Sequence, residues 1–137
     1  MSKRLKGFTL IELMVAVAIL ALLAAIAIPV YTRYSDRTYR SEAMADLLDC
    51  AQALERRASQ TFDYLGAAAG GADDGAIDVA VCQPESVASG RYAITIVGGA
   101  ANFTLTATPG AVDQGRILTL NSNGQRTFDG AAGWDEP

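Results

Sequence analysis

Side chains suited to chemistry are few in this chain. Its 137 residues include no histidine, no Gly-x-Ser-x-Gly nucleophile turn, no phosphate-binding loop and no Cys-x-x-Cys. A catalytic mechanism has no visible machinery here, and no cofactor motif accompanies it. Asp73, Asp74 and Asp78 would suit calcium by residue type, but they lack EF-hand spacing and supporting oxygens, so a solvated turn is the better reading. Asn102-Phe103-Thr104 is a formal glycosylation sequon of a kind common by chance. Two features carry more weight. Cys50 and Cys82 are the only cysteines, and Glu12 is the only charged residue between Phe8 and Val30.

Glu12 sits in an element that sets its cost. Phe8 to Val30 reads as one apolar helix, roughly 35 Å long at ~1.5 Å per residue. That length crosses a hydrocarbon core of about 30 Å. Lys3, Arg4 and Lys6 precede the run and would keep the N-terminus in the cytoplasm while the remainder is exported. A secretory signal is the alternative, with Ala24, Ala25 and Ala27 imitating its cleavage site. An acid near the start of the run speaks against that reading. A carboxylate at mid-span costs roughly 2.5–3.5 kcal/mol on insertion scales, so such residues usually have a job and a partner. The plain alternative is an acid stabilised by the helix dipole near the headgroups. Loss of the first seven residues, with their three cations, would take the formal charge from −4 to −7.

The string Lys6-Gly7-Phe8-Thr9-Leu10-Ile11-Glu12-Leu13-Met14 resembles the signature of type IV prepilins at every position. The resemblance implies cleavage after Gly7 by a membrane prepilin peptidase, N-methylation of Phe8 and retention of the apolar helix. It also implies partners: other pilin subunits, inner-membrane pilus machinery, and membrane lipid before assembly. The physics fits. Cleavage would make Phe8 a cationic N-terminus one helical turn from Glu12, and Glu12 would neutralise the Phe8 amine of a neighbouring subunit. A misplaced subunit would leave both charges unpaired in low dielectric. Ala27-Ile28-Pro29-Val30-Tyr31 resembles the pilin pattern in which the helix bends and continues; the simple alternative for Pro29 is the end of a membrane span. Alanines stand mid-span where many pilins have glycine, and alanine favours the helix by ~1 kcal/mol.

Beyond Pro29 the pattern becomes amphipathic. Met44, Leu47, Leu48, Ala51, Leu54, Ala58 and Phe62 recur at three- and four-residue spacing. Arg33, Asp36, Arg37, Arg40, Glu42, Asp46 and Asp49 fill the other faces, and Tyr31, Tyr34 and Tyr39 cluster where an aromatic belt would lie. Helix is expected from Phe8 to about Ser59, with residues 31–62 as the amphipathic segment. Residues 63–90 read as a glycine-rich loop. From Arg91 the period becomes two, giving four strands: Arg91 to Val97, Phe103 to Thr108, Arg116 to Leu120, and Arg126 to Phe128. The expected class is α+β: a long N-terminal helix, transmembrane in its first half, packed on a four-stranded antiparallel sheet. The segments are a leader (1–7), an apolar helix (8–30) and an exported domain (31–137) whose sheet occupies 91–137.

Tyr92-x-Ile-Thr-Ile, Phe103-Thr-Leu-Thr-Ala-Thr-Pro109 and Leu118-Thr-Leu-Asn-x-x-Gly124 resemble the PilE class of minor pilins. That class commonly has cysteines before the third strand and near the C-terminal Trp, and this chain has none at either place. The resemblance implies a structural pilus subunit serving biogenesis, adhesion or motility, found in the inner membrane and then in an extracellular filament. A pseudopilin of a type II secretion system, in a periplasmic pseudopilus, shares the N-terminal third and stays open. A DNA-uptake receptor pilin is the third class. Net charge of −7 argues against DNA, since phosphate neutralisation supplies most non-specific affinity, but an Arg91, Arg116 and Arg126 patch stays open. Both cysteines lie in the exported part, in an oxidising compartment, so a Cys50–Cys82 disulfide is expected to tie the loop to the helix.

Overall fold

The computed structural model describes residues 8–112 and 116–134. The chain forms two compact units, Met1–Ser35 and Asp36–Pro137, each taken by itself. One element runs through both, helix α1 (Leu10–Thr61), which starts and ends two residues later than the expected Phe8 and Ser59.

In the first unit α1 is apolar around its whole circumference from Leu13 to Val30, and every residue from Phe8 to Tyr34 is exposed. A helix with no polar face requires an apolar surrounding. By length and composition this stretch can cross a membrane. Pro29 lies inside α1 without ending it. Its ring leaves the Ala25 carbonyl without the usual i+4 donor, and its own carbonyl accepts from the Thr32 hydroxyl at 3.1 Å.

In the second unit α1 buries Ala43, Leu47, Cys50, Ala53 and Leu54, one stripe at three- and four-residue spacing. The chain returns across that stripe as six strands: β1 (Asp74–Ala76), β2 (Tyr92–Gly98), β3 (Phe103–Pro109), β4 (Leu118–Asn121), β5 (Arg126–Phe128) and β6 (Ala131–Ala132). Each pairs antiparallel with the next, so sheet order equals chain order. Side chains alternate across the sheet. Ile94, Ile96, Phe103, Leu105, Ala107, Leu118, Leu120 and Phe128 join the helix stripe in the core. The opposite face carries a row of threonines in register, Thr95, Thr106, Thr119 and Thr127, with the last two hydroxyls 2.6 Å apart.

Two strands exceed the four expected. β1 falls in the presumed loop and holds Gly75, so no period betrays it; it exists because it pairs with the β2 edge, Gly75 opposite Ile96. β6 follows a tight turn in which Asp129 and Gly130 both have positive φ, 50° and 83°. Asp-Gly is the sequence sign of such a hairpin. Residues 63–90 also hold a 3-10 turn (Ala69–Gly71) and a short helix α2 (Glu85–Ala88). Three groups on α1 anchor this segment. Arg57 donates to the Leu65 carbonyl at 2.7 Å and the Gly66 carbonyl at 3.4 Å. Asp46 accepts from the backbone of Glu85 at 3.3 Å, from the backbone of Ser86 at 2.8 Å, and from the Ser86 hydroxyl. Cys50 and Cys82 form a disulfide with Cα atoms 5.3 Å apart.

Four residues on or just past α1 depart from expectation. Arg40 and Asp46, assigned to the solvent face, are buried, because each has a partner on the returning chain. The Arg40 guanidinium lies 4.4 Å from the Phe128 ring centroid. Phe62, assigned to the apolar stripe, lies past the helix end and is exposed. Tyr39, assigned to an interfacial belt, packs against the core with the Arg91 guanidinium 4.2 Å from its ring centroid.

Cys50→Ser should lower the stability of the second unit by roughly 3–4 kcal/mol in the chain-entropy view, for a bond spanning 32 residues. Hydrogen exchange should show residues 63–82 loosened while the apolar helix keeps its protection. A bulkier residue at Gly98 is the second test. A Cβ there would stand 2.4 Å from the Tyr64 carbonyl oxygen, so Gly98→Ala should cost about 1–3 kcal/mol by overpacking, read as a fall in Tm.

Candidate functional site

The first turn of α1 gathers the residues singled out in the apolar run. Thr9 and Glu12 form a capping box. The Thr9 N–H and hydroxyl donate to Glu12 Oε2 at 3.1 and 2.8 Å, and the Glu12 N–H donates to the Thr9 hydroxyl at 3.3 Å. Two orphan amides of the helix start, those of Thr9 and Glu12, are thus satisfied inside the chain, and the carboxylate sits against the positive end of the helix dipole. The pattern Thr-x-x-Glu is legible in the sequence and was missed there. It gives the plain, dipole-type role of Glu12 a definite geometry, yet leaves the carboxylate exposed, with no hydrogen bond to Oε1 among the described residues.

Phe8, Ile11, Glu12, Val15, Ala16 and Ile19 line a shallow furrow of about 360 Å³ on this face of the helix. Phe8 is 84% exposed at its mouth. Phe8 and Glu12 therefore border the same furrow. Pro29 lies farther along the helix, Cys50 and Cys82 belong to the other unit, and Gly7 lies outside the described residues. Among the described residues no group of three or more His, Cys, Asp or Glu is placed to hold a metal.

The arginines of the presumed sheet patch each lie against an aromatic ring. Arg91 pairs with Glu42 at 2.7 Å and covers Tyr39. Arg116 covers Phe128 at 5.2 Å, and Arg126 covers Trp134 at 4.8 Å.

Residues 2–28 match the family profile of the prokaryotic N-terminal methylation motif, and residues 29–117 match that of the type IV minor pilin ComP, DNA uptake sequence receptor. The chain belongs to the type IV pilin family. Pilins of this family are structural subunits of pili. The chain is 34% identical over 137 aligned positions to fimbrial protein EcpC of Eikenella corrodens, covering 95% of this chain and 80% of that protein. It is 46% identical over 71 residues to a fimbrial protein of Moraxella nonliquefaciens, half of this chain and 46% of that protein. Type IV major fimbrial protein FimA of Dichelobacter nodosus shows 52% identity over 50 residues, 36% of this chain and 32% of its own length.

The capping box makes the pilin's first turn testable apart from any assembly role. Glu12→Gln keeps an acceptor for the Thr9 N–H, whereas Glu12→Ala removes it. Hydrogen exchange in micelles should therefore show residues 10–13 frayed in the alanine variant by about 1 kcal/mol and little changed in the glutamine variant.

Proposed function

We propose that this pilin is cut after Gly7 by a prepilin peptidase, methylated at Phe8, and added as a minor subunit to a type IV pilus through its N-terminal helix. The observation that carries this reading is the Glu12 carboxylate, exposed in the Phe8 furrow of an otherwise apolar stretch of helix, with no hydrogen bond to Oε1 among the described residues. An isolated helix needs only a cap there. A carboxylate that must enter an apolar bundle needs a cation, and the Phe8 amine of an adjacent subunit is the matching one. Before assembly the helix rests in the inner membrane with its basic end in the cytoplasm, where lipid and the pilus machinery surround it. Similarity to a fimbrial protein along 95% of the chain supports a pilus over a secretion pseudopilus. No catalytic role is assigned.

Sheared filaments should contain a chain of 130 residues, seven fewer than the full 137, beginning with methylated Phe8. Leader still attached to assembled material would overturn the processing step. Both Glu12→Ala and Glu12→Gln should insert into the membrane and join filaments poorly. Normal incorporation of the glutamine variant would reduce Glu12 to a helix cap.

A second reading rests on the ComP profile over residues 29–117, whose description includes a DNA-uptake receptor. The acidic balance of the chain weighs against a strong phosphate site. Binding of duplex DNA to the full chain at low salt, lost on adding salt and weakened by Arg126→Ala, would establish it. Equal retention by wild type and variant would remove Arg126 from it.

A further inference from the structure

Phe62 closes α1 with its backbone in the left-handed region, φ 64°. Glycine is favoured at such a position, and a bulky side chain there is an outlier. Its N–H completes the last turn on the Ala58 carbonyl at 2.8 Å. Its ring is 87% exposed, so burial within this chain does not offset the strain. Residues held this way cluster where a ligand or partner needs them.

Beside the ring lies an open cleft of about 390 Å³, lined by Glu55, Ala58, Ser59, Tyr64 and the β2–β3 turn at Ala100 and Ala101. Tyr64 is already committed. Its ring meets Phe103 edge-on with centroids 4.9 Å apart, and its hydroxyl lies 3.1 Å from each Glu55 oxygen. Burial, then the Glu55 carboxylate, push the Tyr64 phenol above its usual range. It therefore stays a neutral donor that fixes the carboxylate at the rim. Ser59 spends its proton on the Arg56 carbonyl at 2.7 Å and has lone pairs left. The turn is held in place by the Tyr64 N–H on the Gly99 carbonyl at 3.1 Å. Among the described residues no lysine or arginine lines the cleft.

A cleft of this kind accepts hydrogen bonds, repels anions and presents one free aromatic face. Phosphate polymers need the cations it lacks. Quaternary ammonium ions favour several aromatic walls, and here only Phe62 is uncommitted. A pyranose ring has the complementary set: hydroxyl donors around its edge, no charge, and a C–H face that lies on the negative face of an aromatic ring. We propose that the C-terminal end of α1 is a binding site for a neutral hexose unit, with Phe62 as stacking platform and Glu55 as hydroxyl acceptor. The site uses neither Phe8 nor Glu12, so it stands apart from the assembly reading.

The test titrates the full chain, in a detergent without a sugar headgroup, with methyl β-D-galactopyranoside, methyl β-D-glucopyranoside and choline chloride. Amide chemical shifts report the contact. At least one glycoside should give saturable shifts confined to residues 55–64 and 99–102, with a dissociation constant of about a millimolar, as suits one small ring. Phe62→Gly should raise Tm by relieving the strain and still weaken binding about tenfold, while Phe62→Trp keeps it. Binding of neither glycoside by folded wild-type chain overturns the proposal. So does Phe62→Gly binding as tightly as wild type, or choline binding in preference to both sugars.

Discussion

Burial of one helix stripe governs the second unit. From Asp36 onward α1 has apolar residues on a single face, and Leu47 and Leu54 on that face are fully buried. Burying such a side chain contributes roughly 1.5–3 kcal/mol, which only a surface of matching width supplies. β2, β3 and β4 provide it, with Ile96 and Leu105 directly opposite each other and Leu105 opposite Leu120. A register slip of one residue would turn this whole set toward solvent and bring the threonine face inward. The stripe therefore fixes the register, and the register fixes where the connecting segments must run.

Those connections are held by groups of α1, Asp46 and Arg57 beside the stripe and Cys50 within it. Asp46, Cys50 and Arg57 each reach a different part of residues 63–90. Asp46 shows the logic. A buried carboxylate is costly alone, and three donors from Glu85 and Ser86 satisfy it. Removing those donors would leave a buried charge uncompensated, so α1 and α2 are tied as firmly by the penalty of separation as by the bonds themselves.

The same division explains what the sequence revealed. Long elements with an unbroken period were readable: α1 within two residues at each end, and β2 to β5. The Cys50–Cys82 bond was readable too, since two cysteines in an exported segment leave one pairing. β1 was not, because three residues around Gly75 carry no period and owe their form to the free edge of β2. Arg40 and Asp46 were misplaced because charge marked them as solvent-facing, and only the returning chain provides Phe128 and Ser86 as partners. Phe62 continued the apolar spacing on paper, yet the helix ends at Thr61 and turns it outward. The Thr9–Glu12 box and the Asp129-Gly130 turn were local signals, present and unread.

Closure at the C-terminal edge follows from side-chain choice. No cysteine follows Cys82, and after Lys6 every basic residue is arginine. Arginine's flat guanidinium lies against an aromatic ring while keeping donors free, which an ammonium group does less well. Arg40 and Arg116 both lie against Phe128 on β5, and Arg126 lies against Trp134 just past β6. The Trp134 indole N–H then donates to the Thr119 carbonyl of β4 at 3.1 Å. These contacts tie the last two strands, too short to hold by pairing alone, to the sheet and to α1. Covalent closure is confined to the α1-to-sheet segment, and the opposite edge is closed by aromatic rings under arginines.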